Sequence, residues 1–325
     1  MSANINSMMY TGETPWHGLG KKLDNAATSA EAIAAAGLNW SVEKRLVYTT
    51  GPLGKLIQID GKYAVSRMDN DQPLGVVGDV YHPLQNKDAF RFFDAVVGLK
   101  EAFYHTAGAL GAGEVIWILA KLNGIIQVKG HDITEKYLLL TNRHDGLGSV
   151  RIMFTPIRVV CQNTLNLALA DGTKFQAKLK HCATMGMKVQ EVREALGIID
   201  QKFAFFEKAA QRLAAVELTQ EAFKNYLGKV GIIPEDLADL EGRAKTMAEN
   251  VIHEVTQKFE HGRGNDMPGV KGTLWAAFNG VTEYVDYTRT TRGGSDSRAK
   301  SLLFGSGATL KQKAWDEALS LAGQI

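Results

Sequence analysis

The chain has 325 residues, of which 45% are apolar and 22% are charged, a balance typical of a globular protein with a sizeable core. The formal net charge of +2 excludes a uniform polycation, so a nucleic-acid site requires an uneven distribution of charge. The two cysteines are too few for a disulfide framework and favour a cytoplasmic protein, and no apolar run is long enough to predict a membrane span.

The first regular elements are predicted between residues 28 and 80. The stretch "TSAEAIAAAGL" predicts a short helix, because Thr28 and Glu31 form a capping-box pattern and Gly37 is a suitable C-terminal stop. From Trp40 to Val80 the β-branched and aromatic segments between glycines predict strands. Within them, the pair Asp60-Gly61 predicts a hairpin turn.

The next segments predict one helix and three strands. "NKDAFRFFDAVVG" has helical spacing, with Asn86 as its expected N-cap. "EVIWILAKL", "KYLLLTN" and "GSVRIMFTP" predict strands, and Pro156 should end the last strand or place it at an edge. "NTLNLALA" then predicts a helix that begins at Asn163.

After about residue 188 the pattern becomes helical. "VQEVREALGIIDQKFAFFEKAAQRLAAVEL" carries one apolar stripe, and a second helix is predicted from Pro234 to just before Gly262. "KGTLWAAFNGVTEYVDY" and "TLKQKAWDEALSLA" predict two more helices. We therefore predict an α+β fold. Residues 1–188 would form a mostly antiparallel β-sheet with helices packed on it, and residues 189–325 a helical C-terminal region.

Charge is segregated along the chain. Residues 141–193 carry eight basic and three acidic side chains, and residues 287–313 carry six basic and one acidic side chain. Residues 235–260 carry seven acidic and three basic side chains. The near-neutral total therefore conceals two basic regions and an acidic helical segment.

The stretch "RIMFTPIRVVCQNTLNLAL" combines cations and amides with apolar residues. Arginines at a junction of strand and helix suit phosphate, because the guanidinium presents fixed donors. The alternative is that Asn163 and its neighbours cap turns, with the arginines paired to surface acids. The predicted nucleic-acid contacts are Arg143, Arg151, Arg158, Asn163, Lys174, Lys178, Lys180, Arg289, Arg292, Arg298 and Lys300. Trp16 and Tyr81 are candidates for stacking on bases.

Metal and nucleophile chemistry have little support in the sequence. His144, Asp145, Cys161, His181 and Cys182 lack the CxxC or HxxxH spacing of a zinc site, and "RVVC" predicts a buried structural cysteine. Nothing in the sequence places a histidine beside Cys161 as a base. We predict no metal and no cofactor.

A second stretch of interest follows residue 273. Asn279, Glu283 and Asp286 share a helical face, so the two carboxylates could hold a divalent metal in a nuclease-like centre or could orient the arginines after residue 288. "FGSGATLKQ" resembles a phosphate-cradling loop only faintly, since it lacks GxxxxGK[ST].

Several motifs together carry a resemblance to a known family. "TPWHGLG", "GVVGDVYHPLQN", "TNRHDG", "FTPIRVVCQNTL" and "GTLWAAFNGVTEYVDY" resemble, in this order, a phage- and plasmid-related family that bears only a domain-of-unknown-function label. The resemblance implies a gene carried by mobile elements. In outline the chain is also similar to single-strand annealing proteins of the Redβ and Erf type, which implies rings or filaments that hold single-stranded DNA.

Three hypotheses follow. The first is a non-enzymatic protein that binds and anneals single-stranded DNA as a homo-oligomer, with recombination or replication proteins of phage or host as further partners and no membrane. The second is a metal-dependent nuclease-like or nucleotide-processing enzyme built on the acidic centre. The third is an interaction protein that blocks a host defence through its acidic helical segment.

Overall fold

A computed structural model gives the fold of the protein. It describes residues 5–12, 19–24, 28–97, 102–158, 163–164, 176–179, 181, 203–290, 301–302 and 305–324. Strands and helices occupy most of this part, with the strands in its N-terminal portion and most helices after residue 202. The predicted α+β class is therefore confirmed, as is the mostly antiparallel pairing.

The described strands form two sheets. They are β1 (Ile5–Thr11), β2 (Lys21–Leu23), β3 (Val42–Thr50), β4 (Leu56–Arg67), β5 (Pro73–Val77), β6 (Ala102–Leu110), β7 (Val115–Gln127), β8 (Ile133–Arg143), β9 (Val150–Arg158), β10 (Asn163–Thr164) and β11 (Gln176–Leu179). The larger sheet has the order β10-β9-β8-β7-β6-β1-β2, with β11 also paired to β9, and the smaller sheet has the order β3-β4-β5. β1 pairs with β2 in parallel and with β6 in antiparallel orientation.

The helices are α1 (Ser29–Ala35), α2 (Asn86–Val97), α3 (203–213), α4 (Gln220–Val230), α5 (Gly242–His261), α6 (Leu274–Glu283) and α7 (Ser306–Gln324). A π-helical turn (Tyr284–Thr288) directly follows α6. The predicted capping box of α1 is confirmed, because the Thr28 hydroxyl accepts from the Glu31 amide while the Glu31 carboxylate accepts from the Thr28 amide. No helix in the described ranges combines the length and apolar character that crossing a bilayer requires.

The chain divides into two compact units that interleave in sequence. Unit 1 comprises Met1–Asn123, Tyr137–Met153 and Gln176–Ile198, and unit 2 comprises Gly124–Lys136, Phe154–Phe175 and Ile199–Ile325. The predicted boundary after residue 188 falls between residues 181 and 203, outside the described residues.

Unit 1 contains the three-stranded sheet and a core of small and branched apolar side chains. In β6 and β7, residues 107–110 and 115–118 are buried without a break, as expected for strands that are covered on both faces. Ala107, Ala109, Ile116 and Ile118 have no exposed surface. Gly108 fits only as glycine, since a Cβ there would lie 2.3 Å from the Trp117 ring.

Unit 2 is built around α6, in which every residue is buried. Its aromatic core joins Phe206 of α3, Trp275 and Phe278 of α6, and Trp315 of α7, with ring centroids 5.1–6.1 Å apart. The Trp275 indole nitrogen donates to Asp132 Oδ2 at 2.7 Å, so the one polar atom of this ring is satisfied in the core.

The predicted hairpin turn at Asp60-Gly61 is wrong. β4 continues through both residues. Its pairing with β3 shifts register between Leu46 and Tyr48, and Gly61, which lies in the shifted part of β4, adopts a φ of +68°. A DG pair thus forms an irregularity within a strand, because Gly supplies the positive φ that bulges also use. The chain reverses at Pro52–Gly54 instead.

Two predicted helix starts are also wrong. Asn163 does not begin a helix, since Asn163 and Thr164 pair with Arg158 and Ile157 as β10, and residues 165–170 lie outside the described part. The helix predicted from Pro234 begins only at Gly242, and a turn over residues 235–239 precedes it. Glycine and the acidic residues before it favour turns over a helix interior.

Two smaller expectations also need correction. Asn86 is the first helical residue of α2, and its side-chain nitrogen donates to the Leu38 and Trp40 carbonyls, each at 3.2 Å, so it ties the helix to the preceding segment. β9 continues through Pro156 to Arg158, so the predicted strand end at Pro156 is wrong, and the alternative of an edge position there remains a prediction.

Candidate functional site

A surface groove of about 420 Å³ lies in unit 2, beside the start of α7. Its volume is in the range of small-molecule sites. The lining combines apolar side chains with cations, hydroxyls and one phenol: Gly231, Ile232, Val251, Tyr284, Arg289, Ser306, Thr309, Leu310 and Lys313.

Two cations line this groove. The Arg289 amide donates to the Tyr284 carbonyl at 2.8 Å, which fixes Arg289 at the end of the π-helical turn, and its guanidinium donates to the Ser306 hydroxyl at 3.2 Å. Lys313 is exposed on α7, next to Gly231. No carboxylate of the described residues forms an ion pair with either cation.

The rest of the lining also suits an anion. Ser306 and Thr309 bring hydroxyls, and α7 begins at Ser306, so the partial positive charge of the helix N-terminus adds to that of the cations. Tyr284 is mostly buried. Burial raises the pKa of its phenol above the ordinary value and Glu254 adds to this, while Arg289 opposes it. The phenol therefore stays neutral at physiological pH.

The carboxylates of the predicted acidic centre are already bonded to other groups of the chain. The Lys311 ammonium donates to Asp286 Oδ1 at 2.8 Å and has no exposed surface. Glu283 accepts from the Arg263 amide at 3.1 Å, and the Lys258 ammonium lies 3.9 Å from it. Among the described residues, no group of three or more His, Cys, Asp or Glu is placed to hold a metal ion.

The third member of that centre, Asn279, serves the core. Its side-chain nitrogen donates to the Trp275 carbonyl at 2.8 Å one turn earlier in α6, and the residue is buried. Asn279, Glu283 and Asp286, which the sequence placed on one helical face, are all buried in unit 2.

Unit 1 contains a separate buried polar cluster around His144, which follows β8. The imidazole Nε2 lies 3.0 Å from Asn86 Oδ1, and its ring centroid lies 5.4 Å from that of Trp40. Asn142 donates to the Leu84 carbonyl at 2.9 Å. The motifs "YHPLQN" and "TNRHDG" therefore meet in the fold.

These contacts fix the tautomer of His144. Because Asn86 uses its nitrogen on two backbone carbonyls, its oxygen faces the imidazole at 3.0 Å and favours the proton on Nε2, whereas the Asn142 side-chain nitrogen lies farther from Nε2, at 3.5 Å. The imidazole Nδ1 is buried without a hydrogen-bond partner in the described part of the chain. Burial lowers the pKa of His144 to about 3; neighbouring His181 and Arg67 also lower it, and Asp145 opposes them.

Two predicted contacts from this region are engaged within unit 1. Arg143 forms an ion pair with Asp145, donating from Nε to Oδ1 at 2.9 Å. The Tyr81 hydroxyl donates to the Arg143 carbonyl at 2.8 Å, and its ring stacks on His181 with centroids 4.6 Å apart. Tyr81 therefore stacks on a residue of its own chain, and Arg143 is tied to an acid.

The strand register brings other predicted contacts together. Arg151 of β9 lies opposite Lys178 of β11 in the antiparallel register, and Arg158 lies opposite Asn163. Of the predicted site residues, Trp16, Lys174, Lys180, Arg292, Arg298 and Lys300 lie outside the described residues, as do Cys161 and Cys182.

The groove adds Tyr284, Ser306, Thr309 and Lys313 to the candidates found from sequence. A signal for two of them existed, since "FGSGATLKQ" contains Ser306 and Thr309 and resembles a phosphate loop. Lys313 could not be separated from Lys311 by sequence, because only the packing of α7 shows which lysine is exposed.

Fold and groove together define an α+β protein with a cation-lined surface groove. More narrowly, the chain belongs to the family described as "Domain of unknown function (DUF932)", whose model matches residues 73–303, well over half of the chain. No curated protein and no solved structure matches the chain.

Proposed function

We propose that this protein binds single-stranded nucleic acid, with DNA favoured over RNA, and that it works as a homo-oligomer in the cytoplasm. In this proposal it catalyses no reaction of its own. The observation that carries the proposal is the groove in which Arg289 and Lys313 have no acidic partner among the described residues. Cations that track a backbone beside an aromatic side chain are the usual elements of single-strand binding.

The distribution of charge along the chain supports the proposal. Basic residues are concentrated in 141–193 and 287–313, and the strand register places Arg151 of β9 opposite Lys178 of β11.

The resemblance to phage- and plasmid-related proteins extends the proposal to recombination or replication on a mobile element, with annealing of single strands as the activity. No specific observation supports the hypothesis of a metal-dependent enzyme or the hypothesis of a host-blocking protein. Glu283 and Asp286 are bonded to groups of the chain itself, which leaves no free carboxylate pair at that face.

The double variant Arg289→Ala/Lys313→Ala tests the groove. We expect it to bind a labelled single strand of about 30 nucleotides roughly tenfold or more weakly at low salt, because two phosphate contacts are lost. Fluorescence anisotropy measures the affinity, and circular dichroism checks that the variant is folded.

The matched control is Arg212→Ala/Lys271→Ala, which removes the same two residue types from exposed positions of unit 2 that do not line the groove. It should bind nearly as the wild type does. Equal losses in the two double variants would assign binding to net charge alone and contradict a specific groove.

A further inference from the structure

The β3–β4 hairpin of unit 1 ends in a ribbon that is exposed on both faces. We call its distal part, residues 46–60, the arm. Nearly every residue of the arm is exposed, whereas the proximal ends of β3 and β4 are buried at Val42 and Val65. The exposed large apolar side chains of the arm are Leu46, Tyr48, Leu53, Leu56, Ile57 and Ile59.

Such a ribbon is not stable by its own contacts. A lone two-stranded hairpin is marginal in water and needs a further strand or a covered apolar face. Leu53 at the tip is fully exposed, and its φ of 59° is a conformation that costs free energy for a residue other than glycine. Nothing within the described chain covers these side chains.

The arm also has an open hydrogen-bonding edge. β3 is an edge strand of the order β3-β4-β5. Gln85 closes this edge at Val42 alone, where it accepts from the amide at 2.9 Å and donates to the carbonyl at 2.8 Å. From Glu43 to Thr50, no described residue outside the hairpin bonds to the backbone of β3. An open, apolar edge is a template for another strand.

Charge argues against nucleic acid or a lipid surface as the occupant. The arm carries one cation, Lys55, and one anion, Asp60, so its net charge is zero. The cations just before it are engaged: Arg45 bonds to Glu43 and Asp71. Lys44 donates to three backbone carbonyls. Phosphate binding requires free cations, which this surface lacks.

We propose that the arms of two copies of this chain pair along β3, antiparallel about a twofold axis near Tyr48, to give the strand order β4-β3-β3-β4. Residues 46–54 contain no charged side chain, so this register brings no like charges together. A twofold interface is self-complementary, as an antiparallel strand pair requires. The ribbon thereby becomes a four-stranded sheet.

The exposed apolar surface of the arm is smaller than one side of a standard dimer interface, and pairing along β3 covers only part of it, because Leu56, Ile57 and Ile59 lie on β4. The six side chains offer on the order of 600 Å², if each exposes about 60% of roughly 175 Å². A standard interface takes about 800 Å² from each partner. This pairing deepens the homo-oligomer part of the proposed function and is independent of nucleic-acid binding. The arm also precedes residues 73–303, which match the family model.

Light scattering on the full chain, across a concentration series without oligonucleotide, tests the pairing. The wild type should be a dimer. Tyr48→Lys should raise the dissociation constant of the dimer at least tenfold, because it places two like charges opposite each other at the twofold axis. Met247→Lys, at a comparably exposed methionine on α5, is the matched control and should stay dimeric.

Cross-linking provides a second measurement that does not depend on the stability of Tyr48→Lys. Tyr48→Cys should form an interchain disulfide that reductant reverses, while Met247→Cys and the wild type with its two native cysteines should not. A monomeric wild type, or a dimer unchanged by Tyr48→Lys, overturns the pairing. So does a monomer whose arm variants lose oligonucleotide binding, since that result assigns the arm to nucleic acid.

Discussion

At the scale of single residues, His144 shows how the fold sets the chemistry of a side chain. Its imidazole has no exposed surface and donates from Nε2 to Asn86, so protonation of Nδ1 would place a charge beside Trp40 in the core. Desolvation disfavours that charge, which is why the pKa of His144 falls to about 3. His181, also in unit 1, has a lowered pKa, mainly because of burial.

This lowered pKa predicts a loss of stability in acid. Below the ordinary pKa of 6.5, His144 is protonated in the unfolded chain but stays neutral in the folded protein. Protonation therefore favours unfolding until the pH reaches the folded-state pKa of about 3. The free energy of unfolding should therefore fall by up to about 1.4 kcal/mol per pH unit across this window from this residue. Urea unfolding at a series of pH values measures the slope.

The variant that tests this assignment is His144→Gln. It should be less stable than the wild type at pH 7, but its free energy of unfolding should fall less steeply between pH 6.5 and 4. His131→Gln, at an exposed histidine of unit 2, is the control and should keep the wild-type slope. An unchanged slope in His144→Gln would contradict the assignment.

At the scale of elements, one buried ion pair joins α7 to the π-helical turn after α6. Lys311 and Asp286 lie 2.8 Å apart with almost no exposed surface. Removal of one partner from a buried pair leaves an uncompensated charge, which costs more than the pair contributes. This pair therefore makes the attachment of α7 sensitive to a change in either residue.

Lys311→Met should lower the free energy of unfolding by about 3–5 kcal/mol. Lys313→Met, two residues further along α7 and exposed, should change it by no more than about 0.5 kcal/mol. The double variant Lys311→Met/Asp286→Leu should recover much of the loss, because both charges are gone. Urea unfolding followed by tryptophan fluorescence measures all three, and equal effects of the two lysine variants would contradict the buried pair.

Sequence predicted those elements whose signal is local. The capping box at Thr28 and the strand over "EVIWILAKL" depend on neighbouring residues alone, and both predictions are confirmed. The Asp60-Gly61 turn failed because the same dipeptide serves a hairpin or a strand irregularity, and only the partner strand decides between them. Asn163 failed for a similar reason, since pairing with Arg158 overrides helical spacing.

At the scale of the whole molecule, part of the candidate site could be predicted from sequence. The basic segment after residue 286 pointed to Arg289, because charge density is visible in sequence. Lys313 and Tyr284 could not be assigned, since they meet Arg289 only when α4, α5, the π-helical turn and α7 pack together. Likewise, the sequence allowed Glu283 and Asp286 to form a metal centre. Only the fold shows that Lys258 lies beside Glu283 and that Lys311 forms an ion pair with Asp286.

The dependence of single-strand binding on salt is the most direct test of nucleic-acid binding by the groove. If phosphates are bound by free cations, the logarithm of the affinity should fall linearly with the logarithm of the salt concentration, by about 0.7 for each phosphate contact. We expect a steep slope for the wild type and a slope smaller by about 1.4 for Arg289→Ala/Lys313→Ala. Absence of binding at low salt, or an equal slope in the variant, would contradict the proposed function.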